Sequence, residues 1–80
     1  MNILFFGRLK DIARGRTFAP PVHLRTLGEL RDWLAASDDL LGDALRAKGV
    51  KIALNQEIAD PSRAYSPSDE IAFMSPLSGG

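Results

Sequence analysis

The sequence closes on Ser78-Gly79-Gly80, and these are the residues best suited to do chemistry. Glycine has no Cβ, so a Gly-Gly end adopts almost any backbone conformation and passes through a tunnel too narrow for side chains. The reactive group would be the main-chain carboxylate of Gly80. Its attack on the α-phosphate of ATP would give an acyl adenylate, whose carbonyl then accepts a sulfur or nitrogen nucleophile. No side chain of the protein need take part. Glycine is common and chain ends are usually disordered, so the dipeptide alone is also compatible with an incidental tail. Its meaning rests on whether the residues before it build a platform that presents it.

Those residues alternate strand and helix signals. Asn2 to Phe6 is a short apolar run ended by Gly7, the pattern of a buried strand. Leu9, Ile12 and Ala13 then recur at helical spacing across Arg8 to Arg14, up to Gly15. Thr17 to Leu24 reads as a weaker strand, which Pro20 and Pro21 confine to an edge because each lacks a ladder donor. Thr26-Leu27-Gly28-Glu29 matches a capping box and opens the strongest helix, with Leu27, Leu30 and Leu34 on one stripe that Trp33 widens. Ser37-Asp38-Asp39 can cap a second helix through Lys48, with Gly49 as the residue just past its end.

Val50 to Leu54 reads as a strand, Asn55-Gln56 as a tight turn and Glu57 to Asp60 as a short returning strand. A polar turn region, Pro61 to Ser68, precedes the last strand, Asp69 to Met74, with Ile71 and Phe73 on one face and Ala72 and Met74 on the other. Both outermost runs are continuously apolar, as suits strands flanked on both sides, so the final strand is expected at the centre, paired with the first. The whole is an α+β arrangement: a mixed sheet of four to five strands packed by one main helix. Residues 1–80 form a single domain, with 75–80 as an extended functional tail that reaches roughly 20 Å at ~3.3 to 3.6 Å per residue.

Composition narrows the function. An 80-residue chain of this kind supports one small core and little room for an enclosed active site. With 45% hydrophobic and 25% charged residues it is an ordinary globular composition. Cysteine is absent, which excludes disulfides, thiolate metal sites and a cysteine nucleophile. Sulfur chemistry would need sulfur from outside. The opening apolar run is too short for a signal peptide or a membrane span and has no basic flank, so no membrane is expected and the expected location is cytoplasmic. Net charge is zero, yet residues 1 to 31 carry six Arg/Lys against two acids and residues 32 to 80 carry four against eight. Without a dense basic stripe or stacking platform no nucleic acid is expected. The sorted charge either orients protein partners or marks solvated faces.

Other side chains have plainer accounts. His23, the sole histidine, makes no triad and no zinc site and reads as a surface or packing residue. Asp38, Asp39 and Asp43 lack a cation-binding spacing and read as solvated helix caps. Trp33 can stack a ligand, but on a leucine-lined helix it is core. A sheet covered on one side leaves whichever of Leu4, Phe6, Ala72 and Met74 point outward as an exposed apolar patch, the mark of an interface unless loops cover it.

The order of these pieces resembles the ubiquitin-like β-grasp sulfur carriers, the family that includes the small subunits of molybdopterin synthase. The resemblance rests on Ile3-Leu4-Phe5-Phe6-Gly7 with Leu9-Lys10, on Thr26-Leu27-Gly28-Glu29-Leu30, on Ala53-Leu54-Asn55-Gln56, and on Asp69-Glu70-Ile71-Ala72-Phe73 running into Ser75-Pro76-Leu77-Ser78-Gly79-Gly80. It covers essentially the whole chain. It implies a carrier that is no enzyme by itself but the sulfur-donor subunit of a heteromeric sulfurtransferase. Gly80 would carry the adenylate and then a thiocarboxylate, and Gly79 would give tunnel passage. Phe6, Met74, Ser75, Pro76, Leu77 and Ser78 would contact partners.

The implied partners are an E1-like adenylating enzyme that consumes ATP, a sulfur donor protein, and the large subunit of molybdopterin synthase in a heterotetramer. There the tail would donate sulfur to a pterin precursor to form the molybdopterin dithiolene. No cofactor or metal would be bound. Two departures stand out. Phe73-Met74-Ser75-Pro76 replaces a frequent Phe-Phe-Pro-Pro, which implies a less rigid tail, and Lys10 stands where arginine is frequent. A thiamine-pathway sulfur carrier, which shares the Gly-Gly end, ranks second. A ubiquitin-like modifier or binding module is the remaining alternative.

Overall fold

The computed structural model describes residues 1–76; Leu77, Ser78, Gly79 and Gly80 lie outside the described residues. The elements run β1 (Asn2–Phe6), α1 (Arg8–Ala13), α2 (Leu27–Ala36), α3 (Asp39–Leu45), β2 (Lys51–Leu54), β3 (Glu57–Ile58) and β4 (Glu70–Met74). One sheet is formed in the order β1-β4-β2-β3. As expected, β4 is interior and pairs with β1, in parallel, while β2 runs antiparallel on its other side. Parallel neighbours need a long crossover, and everything between the two chain ends supplies it.

Register sorts the side chains. Ile3, Ile71 and Leu54 share one row and Phe5, Phe73 and Ile52 the next, all on one face. Leucines from all three helices, Leu9, Leu27, Leu30, Leu34, Leu41 and Leu45, close over that face in a single core. Each fully buried side chain of this size contributes about 1.5–3 kcal/mol. Phe73 is the largest of them, stacked on Phe5 with ring centroids 5.8 Å apart.

The helices begin where the sequence signals them. Thr26 Oγ1 accepts from the Glu29 amide at 3.2 Å, and Glu29 Oε1 accepts from the Thr26 and Arg25 amides at 3.0 and 2.7 Å. The Arg25 amide, then that of Thr26, holds the Glu29 carboxyl below its ordinary range. Asp38 caps α3 by accepting from the Leu40 amide at 2.9 Å and pairs with Arg16 at 2.9 Å. Asn55 and Gln56 both have positive φ, 51° and 72°. That is the signature of a primed two-residue turn, and it joins Leu54 to its partner Glu57.

Two expectations need correction. Thr17–Leu24 is not a strand, and among the described residues β1 stands at the sheet edge rather than between two strands. The segment has no backbone bond to β1. Pro20 and Pro21 remove two of its donors, and it is held by side chains instead: Phe18 meets Phe5 edge-on at 5.9 Å and Trp33 at 6.5 Å, with the Arg16 guanidinium 5.6 Å from its ring. Second, the helix expected through Lys48 stops at Leu45, because Ala47 and Val50 donate to the third residue back, Ala44 and Ala47, and tighten the chain out of α geometry. The helical layer sets α1 and α3 beside the main helix α2, at the three places where the sequence has helical spacing.

Candidate functional site

β4 leads straight into the Gly-Gly-bearing segment, so the site is built around the point where that strand leaves the sheet. Being central, β4 ends between two neighbours. Phe6, the last residue of β1, lies opposite Met74 on one side, and Lys51, the first of β2, lies opposite Met74 on the other. The next residues, Ser75 and Pro76, therefore pass between the β1–α1 turn and the loop entering β2.

Each of those turns carries a glycine with positive φ, and each glycine faces the tail root. Gly7 has φ 67° and ψ −142°, a region open essentially to glycine alone, and a Cβ there would collide with Ser75 Oγ. Gly49 has φ 91°, and its Cβ would sit 2.8 Å from Pro76 Cγ. Two bare backbones thus press on consecutive residues from opposite sides. From the sequence alone Gly7 is only a strand end and Gly49 a helix end; the signal that pairs them is a glycine beside each of the two strands that flank β4.

Hydrogen bonds complete the root. The Ser75 amide donates to the Phe6 carbonyl at 3.4 Å. Ser75 Oγ accepts from the Arg8 amide at 2.8 Å and donates to the Phe6 carbonyl at 3.3 Å. The Arg8 amide is one of the donors that α1 cannot satisfy internally, and Gly7 has no side chain to cap it. Beside the root, α1 and α3 leave a groove of about 500 Å³ bordered by Ile12, Leu40, Ala47 and Pro76, with Arg8, Lys48 and Asp43 at its rim.

The sheet face turned away from the helices is the second component. Leu4, Ala72, Ala53 and Ile58 form one row across it, and Phe6, Met74 and Lys51 the next. Phe6 and Ile58 are 47% and 66% exposed, Leu4 and Met74 are half-buried, and the two alanines are buried. An apolar face therefore runs to the tail root. Of the residues expected at the site, Phe6, Met74, Ser75 and Pro76 come together, while Leu77, Ser78, Gly79 and Gly80 lie outside the described residues. His23 is exposed in a turn away from them, and Trp33 packs on Phe18. Among the described residues no three His, Asp or Glu side chains converge as metal ligands would, and no helix is long and apolar enough to cross a membrane.

A mixed sheet in the order β1-β4-β2-β3 with helices closing over one face is the arrangement of a small ubiquitin-like β-grasp protein. This chain belongs to the ThiS family, whose model matches residues 3–80. The molybdopterin synthase sulfur carrier subunits of Haemophilus influenzae and Escherichia coli are 29% and 26% identical to it over 80 residues, the whole of this chain and 99% of each relative. Among solved structures, SAMP1 from Haloferax volcanii superposes with a TM-score of 0.80 at 25% identity, covering 98% of this chain and 96% of its own. A second structure, that of H. volcanii small archaeal modifier protein 1, gives 0.79 at 22% identity with 94% of each chain covered. The sulfur-carrier resemblance and the α+β fold expected from the sequence are both borne out.

Proposed function

We propose that this protein is the sulfur carrier subunit of a molybdopterin synthase, located in the cytoplasm. The observation that carries the reading is the tail root: the central strand β4 delivers Ser75 and Pro76, which lead into the Gly-Gly-bearing segment, between Gly7 and Gly49. The names of the two curated relatives, each matched along 99% of its length, point to the same pathway.

The chemistry then belongs to the Gly80 carboxylate. An E1-like adenylating enzyme supplies ATP; a carboxylate oxygen attacks the α-phosphorus and pyrophosphate leaves. A donor protein's sulfur, delivered at the oxidation level of sulfide, attacks the acyl carbonyl and expels AMP, leaving a thiocarboxylate. Seated in the large subunit, the thiocarboxylate gives up its sulfur to the pterin precursor, and water restores the Gly80 carboxylate. The carrier's own contribution is presentation: a rigid root, a chain thin enough to thread, and the Phe6–Met74 face as a docking surface.

A second reading is favoured by the likeness to the archaeal modifier protein: the activated carboxylate would instead be joined to lysine amines. Intact mass separates the two. Expression in cells with sulfur-transfer machinery should give a species heavier by ~16 Da, sulfur replacing oxygen, that maps to Gly80 and vanishes when Gly80 is deleted. Gly-Gly remnants on lysines without that species would move the assignment to a modifier. An unmodified mass in the presence of ATP and an adenylating enzyme that accepts related carriers would remove both.

A further inference from the structure

We propose that the Ser75 hydroxyl is a positioning group that fixes the direction in which the tail leaves the sheet, by tying the tail root to the first amide of α1. The hydroxyl joins two segments that are remote in sequence, the tail root and the β1–α1 turn: it accepts from the Arg8 amide at 2.8 Å and donates to the Phe6 carbonyl at 3.3 Å. β4 has already ended at Met74, so these bonds, with the Ser75 amide bonded to the same carbonyl, extend the attachment to β1 one residue beyond the paired strand. Gly7 faces Ser75 without a Cβ, and Gly49 faces Pro76 in the same way. The hydroxyl holds one side of the root while the Gly49 backbone blocks the other.

The Ser75 hydroxyl is therefore turned onto Gly7 and Arg8 of the β1–α1 turn. This inference rests on the carrier reading above, because a fixed exit direction matters only if the tail must enter another protein. Ordering a chain segment before docking lowers the penalty of binding it, so losing the latch should weaken productive docking without altering the chemistry that follows. The hydrogen bond's net worth translates to roughly a three- to tenfold change in an equilibrium.

The test compares wild-type full-length protein with Ser75→Ala and Ser75→Thr. Amide exchange followed by NMR should show the Arg8 N–H protected in wild type and in Ser75→Thr, and faster in Ser75→Ala, with circular dichroism unchanged in all three. In ATP-dependent activation by an adenylating enzyme, Ser75→Ala should raise KM for the carrier roughly three- to tenfold, leave kcat nearly unchanged, and be rescued by Ser75→Thr. Equal Arg8 exchange in wild type and Ser75→Ala overturns the latch. Faster Arg8 exchange with an unchanged KM overturns its positioning role. If wild type is itself not adenylated, the carrier reading falls instead, and the latch is judged on the Arg8 exchange alone.

Discussion

Placing a methyl group at position 7 should destabilise the protein by an amount that depends on what stands at position 75. In Gly7→Ala the backbone must keep φ 67° and ψ −142°, a conformation that costs a non-glycine residue on the order of 1–3 kcal/mol. The new Cβ also takes the space of Ser75 Oγ, whereas Ser75 Cβ at 3.6 Å and its carbonyl oxygen at 3.5 Å are ordinary contacts. The hydroxyl must therefore leave, and its hydrogen bonds add roughly 0.5–1.5 kcal/mol to the loss. In a Ser75→Ala background there is no hydroxyl to expel, and only the backbone cost remains. Urea unfolding of wild type, the two single variants and the double variant should thus give a coupling of about 1 kcal/mol, the double being less damaged than the sum. In a domain of this size that corresponds to roughly 4–8 °C of Tm. Additivity within about 0.3 kcal/mol would show that Gly7 and Ser75 do not contend for one space, and the account of the tail root would fail.

Phe73→Ala should cost about 3–5 kcal/mol, because Phe73 is fully buried at the centre of the core; thermal melts should show little folded protein at 37 °C. Acid should erode stability through carboxylates held below their ordinary values: Glu29 by the Arg25 amide first, Asp38 by the Leu40 amide, Asp60 by Ser62 and Asp69 by Asn55. A lowered folded pKa contributes stability that is present above the ordinary values, 4.5 for Glu29 and 3.8 for the aspartates, and disappears as pH falls through the depressed ones. Glu29→Gln should accordingly flatten the acid limb of a stability-against-pH curve, and an unchanged limb would count against the capping-box bonds. Met74→Asp places a charge on the half-buried outer row beside Phe6. It should abolish assembly with a large synthase subunit in size-exclusion chromatography while circular dichroism is retained, and normal assembly would remove that face from the interface.

Elements that follow from local rules were legible in the sequence. Thr26 and Glu29 announced α2, Asp38 announced α3, and the apolar runs at both ends identified β1 and a central β4. The Asn55-Gln56 turn was legible from Asn55, which tolerates positive φ, set between two apolar runs; Gln56 at φ 72° is not a residue that such a turn prefers. What was not legible depended on contacts between distant residues. Thr17–Leu24 has the composition of an edge strand, but Phe18 finds a place between Phe5 and Trp33, and aromatic packing displaces a ladder that two prolines had already weakened. Ser75 reads as a missing proline and hence as a looser tail. Its partner, the Arg8 amide, is 67 positions away, and nothing local shows that the hydroxyl supplies the restraint that the ring would have given.

The place of β4 in the sheet also bears on how the protein is made. The strand that joins β1 to β2 is the last one synthesised, so a nascent chain that has not yet emitted residues 70–74 holds two sheet fragments with nothing between them. Its core lacks Ile71 and Phe73, and long-range pairing of this kind closes late and slowly. A ribosome that stalls before β4 releases a chain with exposed leucines, suited to proteolysis rather than to occupying a partner. Ile71 and Phe73, which complete the core, immediately precede Ser75 and Pro76, so on the carrier reading proposed above folding acts as a proofreading step: a chain cut short of its tail root is also short of its fold.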